Sequence, residues 1–347
     1  MTDLLCLVGP TAAGKTRMGV EVALALRSID LDVEIVSCDS MAVYRSLDVV
    51  ADKPSADERR GVVHHLFDVV DPSEPFTAIA YRDLARAAIK DIHDRGGVPL
   101  LVGGSGLYFR AVVDDLEFAP TSAGVRARLE HEPSDRLIER LRIADPATAN
   151  RLDPRNKRRL VRAVEVLELT GRPPSELRNA WDRRSGPYEV TVAGLTWDRE
   201  VLLRRATERV HRELQAGLVQ EVRAIGSERL SQTARQALGV KEILPVLDGT
   251  ATLEEATEQL VRNTKRFVRR QLSWFKADPR VWWTNASEAG WEGAREKIAE
   301  RFAVELDGEL EAPAAGPPAP TAEAAGGAQP DAGAGSGAEL EGEKQAG

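Results

Sequence analysis

Apolar and polar positions follow two rhythms along this chain. Up to about residue 115, compact apolar runs alternate with stretches of helical period. The run Leu4-Leu5-Cys6-Leu7-Val8 predicts a buried strand, and residues 17–27 after it predict a helix. Residues 33–37 predict a second strand that ends in Cys38-Asp39-Ser40. Residues 81–94 predict an amphipathic helix with Tyr81, Leu84, Ala88 and Ile92 on one face. Residues 98–102 predict a further strand that ends in Gly103-Gly104-Ser105-Gly106. Such strand–helix alternation predicts a parallel α/β sheet. Ligands of open parallel sheets sit outside the carboxyl ends of the strands, so these strand-end loops are expected to converge.

Beyond this region, residues 118–187 are charged and helical, punctuated by Pro133, Pro146, Pro154 and Pro173-Pro174, and predict a helical insertion. Residues 189–195 return as a strand. Leu203, Ala206, Val210, Leu214, Leu218, Val222 and Ile225 then form one apolar stripe, and residues 254–275 predict a second long helix. The expected organisation is therefore a first core segment over 1–117, the insertion over 118–187, a core continuation over 188–304, and a tail over 305–347. Beyond Glu311 the tail is Ala, Gly, Pro and Glu with little large and apolar except Leu340. A composition of that kind predicts disorder, because it cannot bury enough surface to offset its ordering entropy.

Charge changes the picture once the tail is set aside. Residues 305–347 carry nine acidic and one basic side chain, which accounts for the whole net charge of −8. The rest is near neutral, so the acidic balance does not exclude a nucleic-acid partner. Two cysteines, Cys6 and Cys38, give no metal spacing and predict buried thiols in a reducing compartment. No apolar run approaches the roughly 20 residues of a membrane helix, and no signal peptide is evident. The expectation is a cytoplasmic protein.

The segment Gly9-Pro10-Thr11-Ala12-Ala13-Gly14-Lys15-Thr16 carries the pattern G-x-x-x-x-G-K-[ST] between a strand and a helix. Its amides and the helix N-terminus suit an anion, Lys15 supplies a charge for phosphate oxygens, and the Thr16 hydroxyl can ligate Mg²⁺. Most such loops bind ATP or GTP. Asp39, past a strand end, can hold Mg²⁺ through water or accept a proton from a nucleophile, or can serve only as a turn residue. Ser105 offers a hydroxyl in the second glycine turn. His64-His65 with Asp68 lacks a third ligand at metal spacing and reads as hydrogen-bonding. Two basic clusters, Arg151 to Arg162 and Arg262 to Lys276, are poor in acid, and the second is interleaved with Phe267, Trp274 and Phe275. Both suggest a phosphate backbone. Arg205, Arg209 and Arg212 share a helix face and could clamp a leaving phosphate or pair with Glu208 and Glu213.

Taken in order, these blocks resemble the tRNA dimethylallyltransferases. The resemblance covers residues 3–284 and rests on GPTAAGKT at 9–16, VSCDSMAVYRSLD at 36–48, HHLFDVVDP at 64–72 and PLLVGGSGLYF at 99–109. It continues through DP at 145–146, RRLVRAVEVLELTGRPPS at 158–175, GLVQEV at 217–222, LGVKE at 238–242 and TKRFVRRQLSWF at 264–275. It implies an α/β, P-loop-kinase-like core with helices on both faces of the sheet and a helical insertion. It also implies Mg²⁺, dimethylallyl diphosphate as donor, and a tRNA with adenine 3′ of the anticodon as acceptor; apart from the resemblance, no membrane partner and a monomer are expected. By matching positions, Asp39 is implied as the general base, Ser105 as a hydroxyl holding the base, and Arg209 as a diphosphate ligand. Gly9 to Thr16 are implied as the phosphate and metal loop. Asp39, Ser40, Met41, Ala42, Ser105, Arg126, Arg158, Arg159, Leu160, Val161 and Arg162 fall at tRNA-contact positions.

The chain departs from the pattern in places. Ala42 replaces a glutamine, Val50-Ala51-Asp52 replaces Gly-Thr-Ala before Lys53, Val240 stands where tyrosine is common, and no Cys/His finger follows Trp283. Three other functions fit parts of the same sequence: a small-molecule kinase, a prenyltransferase for free adenine nucleotides, and a non-catalytic RNA-binding relative.

Overall fold

The structure is a computed structural model, and it describes residues 3–180 and 184–307. Six strands form one sheet: β1 (Leu4–Val8), β2 (Val33–Cys38), β3 (His64–His65), β4 (Val98–Gly103), β5 (Val190–Thr196) and β6 (Val281–Asn285), in the order β3-β2-β4-β1-β5-β6. Every pairing is parallel. The sequence reading did not foresee β3 or β6. β3 has two residues, and β6 carries two tryptophans in a polar setting, so neither shows a clear apolar run.

The central strand β1 is buried on both sides, which is why it reads as a continuous apolar run. Leu4, Cys6 and Val8 enter one core cluster while Leu5 and Leu7 enter the other, following the two-residue period of a strand. Helices cover both faces. Those preceding the insertion are α1 (Lys15–Arg27), α2 (Asp48–Ala51), α3 (Ala56–Arg59), α4 (Ala78–Asp94) and α5 (Gly106–Val113). On α4 the buried face is Tyr81, Ala85, Ile89 and Ile92, and the expected Leu84 is exposed. At about 100° per residue, Leu84 sits roughly 60° to one side of Tyr81 while Ala85 and Ile89 sit on the other, and the sheet takes the second side.

The chain divides into two compact units, with breaks after Leu116 and after Asp182. The second unit contains α6 (Ala123–His131), α7 (Ser134–Ala144), α8 (Pro146–Arg151), α9 (Lys157–Thr170) and α10 (Pro174–Ala180). Its own core joins Leu129, Leu137, Leu141, Leu160 and Val164. Pro146 opens α8, where the missing N–H costs nothing, and Asp145 caps it through the Thr148 amide.

The first unit is closed where the chain leaves and returns. The Asp115 N–H donates to the Ser185 carbonyl at 2.8 Å, and a Cβ on Gly186 would lie 1.9 Å from the Val113 carbonyl oxygen. Only glycine permits that approach. Nearby, Arg280 spans the buried Asp114 and Asp278, and Arg184 pairs with Asp278 at 3.2 Å.

The returning chain builds α11 (Arg199–Gln215), α12 (Leu218–Ile225), α13 (Val240–Leu247), α14 (Leu253–Lys276) and α15 (Ala286–Asp307). The stripe from Leu203 to Ile225 is not one helix: it breaks at Gly217, whose φ of 102° ends one helical frame and starts the next. The helix α15 continues through Glu305 to Asp307, so the core extends three residues past the expected boundary. The remainder of the expected tail lies outside the described residues. Cys6 and Cys38 are buried free thiols.

Candidate functional site

Strand register brings the site together. Val8 lies beside Gly103, and Gly103 beside Cys38, so β1, β4 and β2 end level with one another. Thr11, Lys15, Thr16, Asp39, Ala42 and Arg209 line a single pocket at this end, together with Asp52, Lys53, Phe267 and Gln271.

The loop from Gly9 to Thr16 is shaped by two left-handed residues, Ala12 at φ 63° and Gly14 at φ 92°. Glycine adopts this conformation freely, whereas alanine is strained there by roughly 1 kcal/mol or more. Outside groups hold the loop carbonyls. Arg205 Nε donates to Ala12 O at 2.9 Å and Trp197 Nε1 donates to Ala13 O at 2.9 Å, while the Arg205 guanidinium lies 4.5 Å over the Trp197 ring. Trp197 in turn stacks on Trp291. From inside, Lys15 Nζ donates to Pro10 O at 2.7 Å. The first-turn amides of α1 have no intrahelical acceptor and face the position an anion would take.

Of the three cations lining the pocket, Lys15 and Arg209 contact the glycine loop, while Lys53 is tied to Asp48 and Asp68. Burial lowers the Lys15 ammonium to about 8; Asp39 opposes that shift and Arg209 adds to it. Burial also works against the Arg209 charge, but Glu213 and Asp52 outweigh it and hold the guanidinium more basic than usual. Arg209 Nε donates to Glu213 Oε1 at 2.6 Å, and its Nη1 donates to the Thr11 hydroxyl at 2.8 Å and lies 3.3 Å from Asp52. The two positions weighed for this arginine therefore coincide: it pairs with Glu213 and still reaches the glycine loop at Thr11.

Asp39 turns back over its own loop. Its Oδ1 accepts from the Met41 amide at 2.8 Å and from the Ala42 amide at 3.4 Å. Those bonds fix the carboxylate at the pocket wall. Ser105 Oγ accepts from the Ser40 amide at 3.1 Å, so Ser105 ties the β4 loop to the β2 loop. Ser105 is not among the pocket-lining residues, and Ala42 is buried at 3% exposure. His64 and His65 serve hydrogen bonds, to Val62 O and to Glu34.

One residue the sequence reading missed links these parts. Gln271 of α14 accepts from the Thr11 amide at 2.7 Å through Oε1 and donates to Gly104 O at 2.9 Å through Nε2. The signal was present, since Gln271 occupies a buried position on a stripe otherwise formed by Leu260, Thr264, Val268 and Phe275. A polar residue at a core position of an amphipathic helix asks for a buried partner.

The oxygen donors Thr16 and Asp39 in one pocket suit a hard divalent cation. Among the described residues no three His, Cys, Asp or Glu side chains converge on a metal-sized point. That donor set fits Mg²⁺, which usually completes its shell with water and substrate phosphates.

The remaining candidates lie in the second unit. Arg158 and Arg159 are exposed and have no ion-pair partner among the described residues. Leu160 and Val161 are core residues at 0% and 2% exposure, so their side chains present nothing to an RNA. Arg126 and Arg162 both bind Glu165, at 3.0 and 2.8 Å, and Arg162 also donates to Ala119 O and Pro120 O. Burial opposes the Glu165 charge, but the Ser122 amide and both arginines overcome it and hold the carboxyl below the usual range. These two arginines thus build the unit as well as facing solvent.

Comparison with known proteins gives a consistent picture. A tRNA dimethylallyltransferase of Thermobifida fusca is 46% identical over 290 residues, covering 82% of this chain and 90% of that protein. One from Geobacillus kaustophilus is 39% identical over 303 residues, covering 85% and 94%. Among solved structures, the full-length tRNA isopentenylpyrophosphate transferase of Bacillus halodurans aligns with a TM-score of 0.65 at 36% identity, covering 88% of this chain and 97% of the other. A eukaryotic dimethylallyltransferase acting on tRNA shares the fold, with a TM-score of 0.72 at 24% identity. A family model described as IPP transferase matches residues 42–278, and on these grounds the chain belongs to the IPP transferase family.

Proposed function

We propose that this protein transfers the dimethylallyl group of dimethylallyl diphosphate to N6 of the adenine adjacent to the anticodon of a tRNA. The observation that carries this reading is the placement of Asp39 in the same pocket as Lys15 and Arg209. A proton acceptor beside an anion site is what alkyl transfer from a diphosphate needs. As the carbon–oxygen bond breaks, the α1 amides, Lys15 and Arg209 take up the charge gathering on the departing diphosphate. As the new carbon–nitrogen bond forms, the N6 proton passes to Asp39. Pyrophosphate leaves, and the balance closes without an oxidant or reductant. Thr16, with Asp39 through water, would hold Mg²⁺ beside the donor phosphates, where the cation would supply charge neutralisation. The acceptor base must leave its stack to reach a pocket at the strand ends.

The exposed Arg158 and Arg159 supply sequence-independent phosphate contacts for the tRNA. We place the enzyme in the cytoplasm as a monomer. Among the described residues no helix is long and apolar enough to cross a membrane. The test is incubation with unmodified tRNA and dimethylallyl diphosphate, followed by nucleoside mass spectrometry. Dimethylallyladenosine next to the anticodon is expected, with no dependence on ATP. Nucleotide hydrolysis without prenyl transfer would refute the reading in favour of a kinase, and product formed only with free adenine nucleotides would refute the tRNA assignment.

A further inference from the structure

Asp52 is a second acidic side chain, beside Asp39, in a pocket whose cations and helix amides suit an anion. It lines the pocket with Lys15, Thr16 and Arg209, and its carboxylate lies 3.3 Å from Arg209 Nη1. Its position is set by the fold. The three amides that open α2, those of Asp48, Val49 and Val50, donate to Glu221 at 2.9, 2.8 and 2.9 Å. That anchor holds α2, and Asp52 follows as its left-handed C-cap at φ 52° and ψ 48°. The neighbouring Lys53 does not neutralise it. Lys53 Nζ is committed to Asp48 at 2.7 Å, Asp68 at 2.6 Å and Tyr44 O at 2.7 Å. Arg209 is therefore the cation in contact with Asp52, with Lys15 acting on it from farther off.

We propose that Asp52 is an internal counter-anion that occupies Arg209 in the donor-free site and yields it to the diphosphate of the donor. The contact is easily opened: the Asp52 side chain is 51% exposed, and ion pairs at such positions are weak. Its like charge against a diphosphate is costly to affinity, because close like-charge pairs in a semi-enclosed site repel strongly. The same repulsion helps pyrophosphate to leave after transfer, with Asp52 closing back onto Arg209. Asp52 is thus a positioning residue that exchanges donor affinity for product release.

The inference rests on the phosphate-site reading above, and the experiment separates the two. Inorganic pyrophosphate binding is measured by calorimetry on the wild-type protein, Lys15→Ala, Asp52→Asn and Asp52→Gly, each with Mg²⁺ and with EDTA. Asparagine and glycine both tolerate left-handed backbone, so the two Asp52 variants keep the cap by different means. The expected result is binding about tenfold tighter than wild type in both Asp52 variants, with or without Mg²⁺. The gain shrinks as salt screens it. In steady state, pyrophosphate should inhibit Asp52→Asn about tenfold more strongly than wild type. Unchanged or weaker binding in EDTA overturns the proposal. Loss confined to the Mg²⁺-dependent part also overturns it and makes Asp52 a cation ligand instead. Absence of pyrophosphate binding by the wild type, or undiminished binding by Lys15→Ala, overturns the phosphate site itself.

Discussion

Replacing Gln271 with leucine should loosen the phosphate loop while leaving every residue of that loop in place. Gln271 is 7% exposed, and its two hydrogen bonds join the Thr11 amide to the Gly104 carbonyl. Leucine of similar size fills the space but strands a donor and an acceptor in a site with little water. Each buried unsatisfied group costs about 1–3 kcal/mol, and the added apolar burial offsets part of that, so a net loss of roughly 2–4 kcal/mol is expected. For a core of this size the melting temperature should fall by roughly 5–15 °C. The kinetic effect should exceed the thermal one. Thr11 also accepts from Arg209, so a shift of the loop moves both the amides and the guanidinium of the proposed diphosphate site. Misplacement near 1 Å can cost about 100-fold in rate. Differential scanning fluorimetry and steady-state kinetics with varied dimethylallyl diphosphate measure the two effects. Gln271→Glu sharpens the test, because it keeps the acceptor for Thr11, loses the donor to Gly104, and adds a negative charge beside the anion site. Its donor KM should rise more than its melting temperature falls. A leucine variant that melts with the wild type and keeps the wild-type KM would refute the bridge.

Three further outcomes are expected. Asp39→Asn keeps an acceptor for the Met41 and Ala42 amides but cannot take a proton, so turnover should drop by about 10²-fold or more while donor binding changes little; wild-type turnover in a folded variant would exclude Asp39 as the base. Lys15, depressed to about 8, loses its proton from the folded protein as pH rises through that value, so donor affinity should hold below pH 8 and fall by up to about tenfold per pH unit above it. Lys15→Arg should flatten that profile, and the same shift means that stability contributed by this group rises with pH between about 8 and the ordinary lysine value. Charge reversal at Arg158 and Arg159 should weaken tRNA binding most at low salt and reduce the salt slope by about 0.7–0.9 per lost phosphate contact, read from binding titrations at several ionic strengths.

What could be read in advance follows from how local the physics is. Leu4 to Val8, the glycine loop and the start of α1 carry their signal within a dozen residues, and strand, loop and helix stand where the pattern placed them. Asp39 and Ser105 sit at predicted strand ends, so convergence on one end of the sheet was legible from topology. The partners of the loop were legible only in part. Arg205 and Arg209 stood out by their shared helix face, but Gln271 and Trp197 reach the loop from far along the chain, and nothing in their own neighbourhoods points to it. The Arg158–Arg162 stretch shows the opposite limit. A helix turns through its own core, so a contact motif five residues long includes Leu160 and Val161, which face inward.

The closure of the first unit at Asp115 and Ser185 has a consequence for how this protein can be cut and rebuilt. The two points where the sheet-bearing unit interrupts its chain are already neighbours, held by the Asp115–Ser185 bond, the tight Gly186 approach and the Arg184–Asp278 pair. Joining them needs only a short turn, and a short loop adds little closure entropy. Exchanging residues 117–182 for those of a relative, or for a bare turn, is therefore expected to leave the pocket intact, because every residue lining it belongs to the first unit. Such a graft would ask which unit selects the RNA without disturbing the unit that carries the pocket.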